Sequence, residues 1–166
     1  MLHSAHMKTQ KEVGIPHNFE FIKTRAEELY KSFAPVRCPY FNALVHFNAQ
    51  GLKHLKFKGD AVERVAQDQY MRYKLLHLAP LILKRSGTIQ AISCRQGFEY
   101  VRRNNKTELI AVQRIYHEFI AVIDDVRVRV IVKQVNSGEL CFWSIIPYWK
   151  SDGKNRLLGF GNPEAD

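Results

Sequence analysis

A chain of 166 residues with 46% hydrophobic and 11% aromatic side chains is long enough to bury one core without disulfide or metal staples, and too apolar to be disordered. Its 25 Lys and Arg against 16 Asp and Glu leave a formal charge of +9; this favours an acidic partner, usually nucleic acid or an anionic membrane surface, although a basic surface is often only a solvated one. Cys38, Cys94 and Cys141 form no CxxC pair and suit reduced thiols in the cytoplasm, and no apolar run reaches the ~18 residues of a spanning helix, so no membrane partner is expected.

The opening MLHSAHM lacks the charged start and apolar middle of a secretory signal and reads as an expression-vector remnant, so residues 1–10, with His3 and His6, carry no functional weight. Residues 17–149 are expected to form one domain, and the glycine-containing 150–166 a loosely attached tail. In residues 18–33, Phe19, Ile22, Ala26, Leu29 and Phe33 recur at three- and four-residue steps. They predict an amphipathic packing helix with Asn18 as its N-cap and Pro35 beyond its end. Residues 36–48 alternate through Phe41, Ala43, Val45 and Phe47, so the second half reads as a strand, and Pro39 confines any strand before it to an edge. His46 falls on the opposite face from Val45, where it either reaches the same site as His54 or is simply exposed, the plainer reading.

GLKHLKFK, residues 51–58, sets His54 between Lys53 and Lys56. Nowhere else does a group that titrates near neutrality sit so close to fixed cations. The plain alternative is a partly buried histidine at a helix end, satisfied by a backbone carbonyl. Residues 60–84 then predict a long helix with Asp60 as N-cap, kinked or split near Leu76 by Pro80. Its polar side carries Arg64, Asp68, Arg72 and Lys84. Arg72 either pairs with Asp68 four residues away on an exposed face or contacts a phosphate.

Beyond Gly87 the period changes to that of strands. Residues 88–95, 98–103 and 107–123 are rich in β-branched and aromatic side chains, with Gln96-Gly97 and Asn104-Asn105 as turns. In VRVRVIVKQV, residues 126–135, Val126, Val128, Val130 and Val132 share one face and Arg127, Arg129 and Lys133 the other. Asp124-Asp125 and residues 136–139 make hairpins to the strands on either side. Helices followed by a meander make an α+β domain, with the valine row against the helices and the cations looking outward. Those cations await an anion, or are a solvated face partly neutralised by Glu118, Asp124 and Asp125.

The sequence has no HExxH, no Cys-His cluster, no Walker loop, no GxGxxG turn and no GxSxG elbow, so no metal or other cofactor is expected. Metal-free RNA cleavage fits what remains. It requires proton transfer at the 2′-hydroxyl and the departing 5′-oxygen, with cations around the phosphorane. His54 is the proton-transfer candidate; Lys56, Arg72, Arg129 and Lys133 are the cations; Ser144 can donate to a phosphate oxygen. Trp143, Phe142, Tyr148 and Trp149 offer base stacking, or core packing for at least one of Phe142 and Trp143, since strand neighbours point to opposite faces.

The order of FNAQGLKHLKFKG, RYKLLHLAPLIL, YHEFIAVI, VRVRVIVKQV and LCFWSIIPYW, spanning residues 41–149, resembles the barnase-EndoU-colicin-RelE group of small nucleases. The resemblance implies helices packed on a four- to five-stranded antiparallel sheet, RNA as substrate, toxin-type endoribonuclease activity without metal, and a cognate antitoxin or immunity protein as partner. It assigns Lys53 and His54 to a KH element, Arg129 and Lys133 to a cationic strand and Ser144 to the final strand. His117 and Glu118 are the nearest second proton-transfer groups by order. A nucleic-acid-binding or protein-interaction module without catalysis is the alternative, and an imidazole sealed in the interior, or on the far side from the arginine row, argues against the nuclease.

Overall fold

The protein is described by a computed structural model covering residues 15–59, 62–124 and 126–147. Helix α1, Phe19–Ser32, buries Phe19, Ala26 and Tyr30 along one stripe, whereas Leu29 stays at the rim. Asn18 occupies the N-cap position without a side-chain cap bond. Strands β1, Val36–Cys38, and β2, Ala43–His46, form a small hairpin, and helix α2, Ala49–Lys56, follows. Two-residue strands β3, Phe57–Lys58, and β4, Val62–Glu63, pair with each other. The helical pattern expected over 60–84 is split near Leu76 into α3, Ala66–Leu75, and α4, Leu78–Arg85, and it starts later than expected, after β4. Pro80 lies in the first turn of α4, where its missing N–H has no helical partner to lose, so the break falls before it. Asp60 lies outside the described residues.

Four long strands follow: β5, Ala91–Arg103; β6, Lys106–Ile123; β7, Val126–Val135; and β8, Leu140–Pro147. With β1 and β2 they make one sheet in the order β1-β2-β8-β7-β6-β5. The domain is therefore α+β, but its sheet is six-stranded and mixed rather than a four- to five-stranded antiparallel one. The reason is the hairpin at 36–46: Cys38 and Val45 are fully buried, and covering them docks β2 parallel to β8 through Val45↔Leu140 and His46↔Cys141. Strand β1, followed by Pro39, is the outer edge.

Gln96-Gly97 is not a turn. Strand β5 runs through it, paired with β6 along its whole length, and the missing Cβ leaves room for the Arg114 guanidinium, which Glu99 holds at 2.9 Å. The turn is Asn104-Asn105, both at positive φ (47° and 61°), the twist that two-residue hairpins favour.

Val128, Val130 and Val132 are fully buried with Phe119, Phe142 and Ile145 under Leu55, Leu76 and Leu83 of the helices, as the valine row predicts, whereas Val126 at the start of β7 is exposed. The other face is not a solvated cation row. Arg127 is exposed, but Arg129 pairs with Glu118 at 3.1 Å, and Lys133 keeps only 9% of its surface. Among the described residues no helix is long and apolar enough to cross a membrane. The expected tag at 1–10, the tail at 150–166, and Asp125, Tyr148 and Trp149 lie outside the described residues.

Candidate functional site

The Asn48 side chain accepts from the Gly51 N–H at 3.1 Å and starts α2. Gly51 then rests against the Phe142 carbonyl oxygen and the Tyr30 hydroxyl, with no room for a Cβ. That approach seats α2 on β8 and delivers His54 to Trp143: their rings stack with centroids 4.1 Å apart and planes 21° apart. The Lys133 ammonium lies 4.1 Å from the centroid of the same indole.

His54 is buried, 2% exposed. Its imidazole meets a side chain rather than the expected backbone carbonyl: Arg64 Nη2 lies 3.1 Å from Nε2, while Arg64 Nε donates to the His54 carbonyl at 2.9 Å. Guanidinium groups only donate, so in this contact Nε2 stands as the acceptor. Arg64 Nη1 reaches Asp68 Oδ2 at 3.2 Å, and the other carboxylate oxygen takes Arg72 Nε at 2.8 Å. Arg72 Nη1 in turn donates to Ser144 Oγ at 2.5 Å. Imidazole, two guanidiniums, carboxylate and hydroxyl thus form one chain of contacts from α2 through α3 to β8.

Strand register explains how β8 serves this chain. Ile131 pairs with Ser144 but Val132 with Phe142, which leaves Trp143 as the extra residue of a bulge. A cleft of about 210 Å³ opens beside it, lined among others by Asn48, Gln50, Lys133, Glu139, Cys141 and Trp143.

The structure brings His54, Arg72, Lys133, Trp143 and Ser144 together. It does not bring the rest. Lys56 turns to Glu27 on α1 at 2.6 Å, Arg129 is held by Glu118, and Lys53 and Arg127 are exposed. The Arg72–Asp68 pair is buried rather than surface-exposed, with 4% and 18% of the side chains accessible. His117 cannot act with His54: it pairs with Val132 on the helix-covered face, edge-on to Phe41 at 4.8 Å, and burial lowers its pKa. Glu118 is committed to Arg129. His46 is half-buried on β2 beside Cys141.

Arg64, Asn48 and Gln50 went unrecognised as site residues in the sequence. Arg64 reads as an exposed helical position because only the tertiary fold carries it beneath His54. Among the described residues no group of three or more His, Cys, Asp or Glu could hold a metal ion. In comparisons with known proteins, no family model, no curated protein and no solved structure matches this chain.

Proposed function

We propose that the protein binds RNA, with a backbone phosphate seated in the cleft at Lys133. The observation that carries this reading is the Lys133 ammonium held over the Trp143 indole at the wall of a cleft that also presents Gln50 and Glu139. Cation–π contact fixes an otherwise flexible ammonium, so little side-chain freedom is lost when a phosphate arrives. Glu139 and Gln50 supply acceptors and donors for ribose hydroxyls or a base edge. The charge of +9 supports a polyanion over a small phosphate ester.

Fluorescence anisotropy with a labelled single-stranded RNA tests it. Binding is expected to weaken steeply with salt, and Lys133→Ala to weaken it further and reduce the salt slope by about one. Undetectable binding at low salt, or an unchanged slope in Lys133→Ala, overturns the reading.

A second reading, metal-independent endoribonuclease of toxin type acting by 2′-hydroxyl attack, is favoured by the meeting of His54, Arg72, Ser144 and Lys133 at the β8 bulge. It agrees with the resemblance to the barnase-EndoU-colicin-RelE group, and an antitoxin or immunity protein is its expected partner. It ranks second because His54 Nε2 is engaged by Arg64 beneath the surface, so proton abstraction requires Arg64 to withdraw. RNA incubated with excess chelator decides it: cleavage by wild type that is lost in His54→Ala establishes the nuclease, and intact RNA with both leaves binding alone.

A further inference from the structure

Strand β7 begins its pairing with β6 at Arg114↔Val135, whereas β5 stays paired with β6 out to Arg103↔Lys106. Residues 96–113 therefore form a two-stranded arm beyond the end of β7. On one face of it lie Gln96, Phe98, Tyr100 and Arg102 from β5, opposite Gln113, Ala111, Leu109 and Thr107 from β6. Phe98, Tyr100 and Leu109 are 68%, 77% and 54% exposed. The register makes this face continuous with the helix-covered side of the sheet, since Phe119 in the core has the same parity on β6. The helices do not reach it.

Charge discriminates among occupants of this apolar face. Across 95–114 the arm carries Arg95, Arg102, Arg103, Lys106 and Arg114 against Glu99 and Glu108, and Glu99 is already bonded to Arg114. Among the described residues Arg95, Arg102, Arg103 and Lys106 make no ion pair. By the register only Arg102 of these shares the aromatic face, the other cations lying on the opposite face of the ribbon, but the arm as a whole is positive, so two copies stacked on this face would still bring like-charged arms together. A polyanion with flat apolar groups satisfies both features.

We infer that this face of the β5–β6 arm is a stacking platform for single-stranded RNA, with Phe98 and Tyr100 under successive unpaired bases and Arg102 on the backbone. Alternate residues of a strand stand about 7 Å apart on one face, a spacing that an unstacked strand can span. Gln96 and Gln113 border the platform with amides, and Leu109 widens it opposite Tyr100. The inference extends the RNA reading to a second surface and does not depend on the cleft.

The test compares wild type, Phe98→Ala/Tyr100→Ala, Phe98→Tyr/Tyr100→Phe and Lys133→Ala by anisotropy on a labelled ten-nucleotide oligouridine, with melting followed by circular dichroism. Stacking worth about 1–3 kcal/mol per base predicts a loss of about 30-fold or more in the double alanine variant. The exchanged-aromatic variant should retain wild-type affinity, and both should melt with the wild type because these positions are exposed. Unchanged affinity in the double alanine variant overturns the platform. So does a wild-type dimer in sedimentation that the same variant converts to monomer without losing RNA. Loss confined to Lys133→Ala leaves the cleft and removes the arm; loss confined to the alanine pair leaves the arm and removes the cleft.

Discussion

Replacing Asp68 with alanine strikes a carboxylate that Arg64 and Arg72 share. Their side chains are 0% and 4% accessible, and that of Asp68 is 18%. An exposed ion pair is worth about 0–1 kcal/mol, but removing one partner of a buried pair costs about 3–5 kcal/mol because the remaining charge is left in a poor solvent. Some water reaches Asp68, so the lower part of that range applies, about 3 kcal/mol. With a urea slope of about 2 kcal/mol/M, the midpoint should fall by roughly 1.5 M. Such a loss is a large share of the ~5–15 kcal/mol that holds a domain together. The measurement is urea unfolding followed by far-ultraviolet circular dichroism and tryptophan fluorescence, with coincident transitions required before a free energy is extracted. Arg72→Ala and the double variant complete a cycle. The double variant should be little worse than Asp68→Ala alone, because it deletes one of the two charges that lose this carboxylate. A midpoint shift below about 0.5 M, or strictly additive losses, would show that the contacts between α3 and β8 behave as a surface network, and the account of His54 as a sealed residue would fail with it.

Gly51→Ala should destabilise by about 1–3 kcal/mol in the same assay, although alanine is favoured over glycine within a helix by about 1 kcal/mol, because the new methyl meets the Phe142 carbonyl and the Tyr30 hydroxyl. His117 has its pKa lowered by burial from 6.5, so its neutral form stabilises the fold fully above that value. Below it the unfolded chain takes up a proton that the folded chain resists, and stability is lost as pH falls toward the folded pKa; urea midpoints at about pH 7.5 and pH 5 should therefore differ less in His117→Leu than in wild type. Thiol labelling should proceed in the order Cys94, Cys141, Cys38: the first is exposed, burial and then Glu139 raise the pKa of Cys141, and burial raises that of Cys38, which should react only on unfolding, as resolved by mass spectrometry of alkylated peptides.

What could be read in the chain was whatever local spacing encodes. The valine row of β7 is a period-2 pattern with one buried face, and it appears as such. The Asn104-Asn105 turn is legible because both residues tolerate positive φ, whereas Gln96-Gly97 misleads: a glycine marks a turn or a close approach equally well, and here Arg114 fills the space it leaves. Strand β2 is legible in the alternation of residues 41–47, but β1 has three residues, too few for alternation to register, and the parallel docking of β2 beside β8 is a tertiary contact that no local pattern carries. His54, Arg72, Ser144, Lys133 and Trp143 were each identifiable as chemically able residues. That the first is sealed beneath Arg64 and the second tied to Ser144 is decided by contacts spanning 10 and 72 positions, which no local pattern carries.

The β8 bulge ties the core and the candidate site to one irregularity. Phe142 and Ile145 both lie in the core, yet they are three residues apart, and strict alternation would send one of them outward. The extra residue resolves this conflict, and the two positions it frees are Trp143, which carries His54 and Lys133, and Ser144, which receives Arg72. A regular strand with Phe142 inside would place Ser144 on the core side and turn Ile145 outward, losing a fully buried isoleucine worth about 2–3 kcal/mol. Hydrophobic burial therefore maintains the bulge whether or not RNA is present, and the polar contacts around Trp143 are preformed by the packing of the opposite face rather than assembled by a ligand.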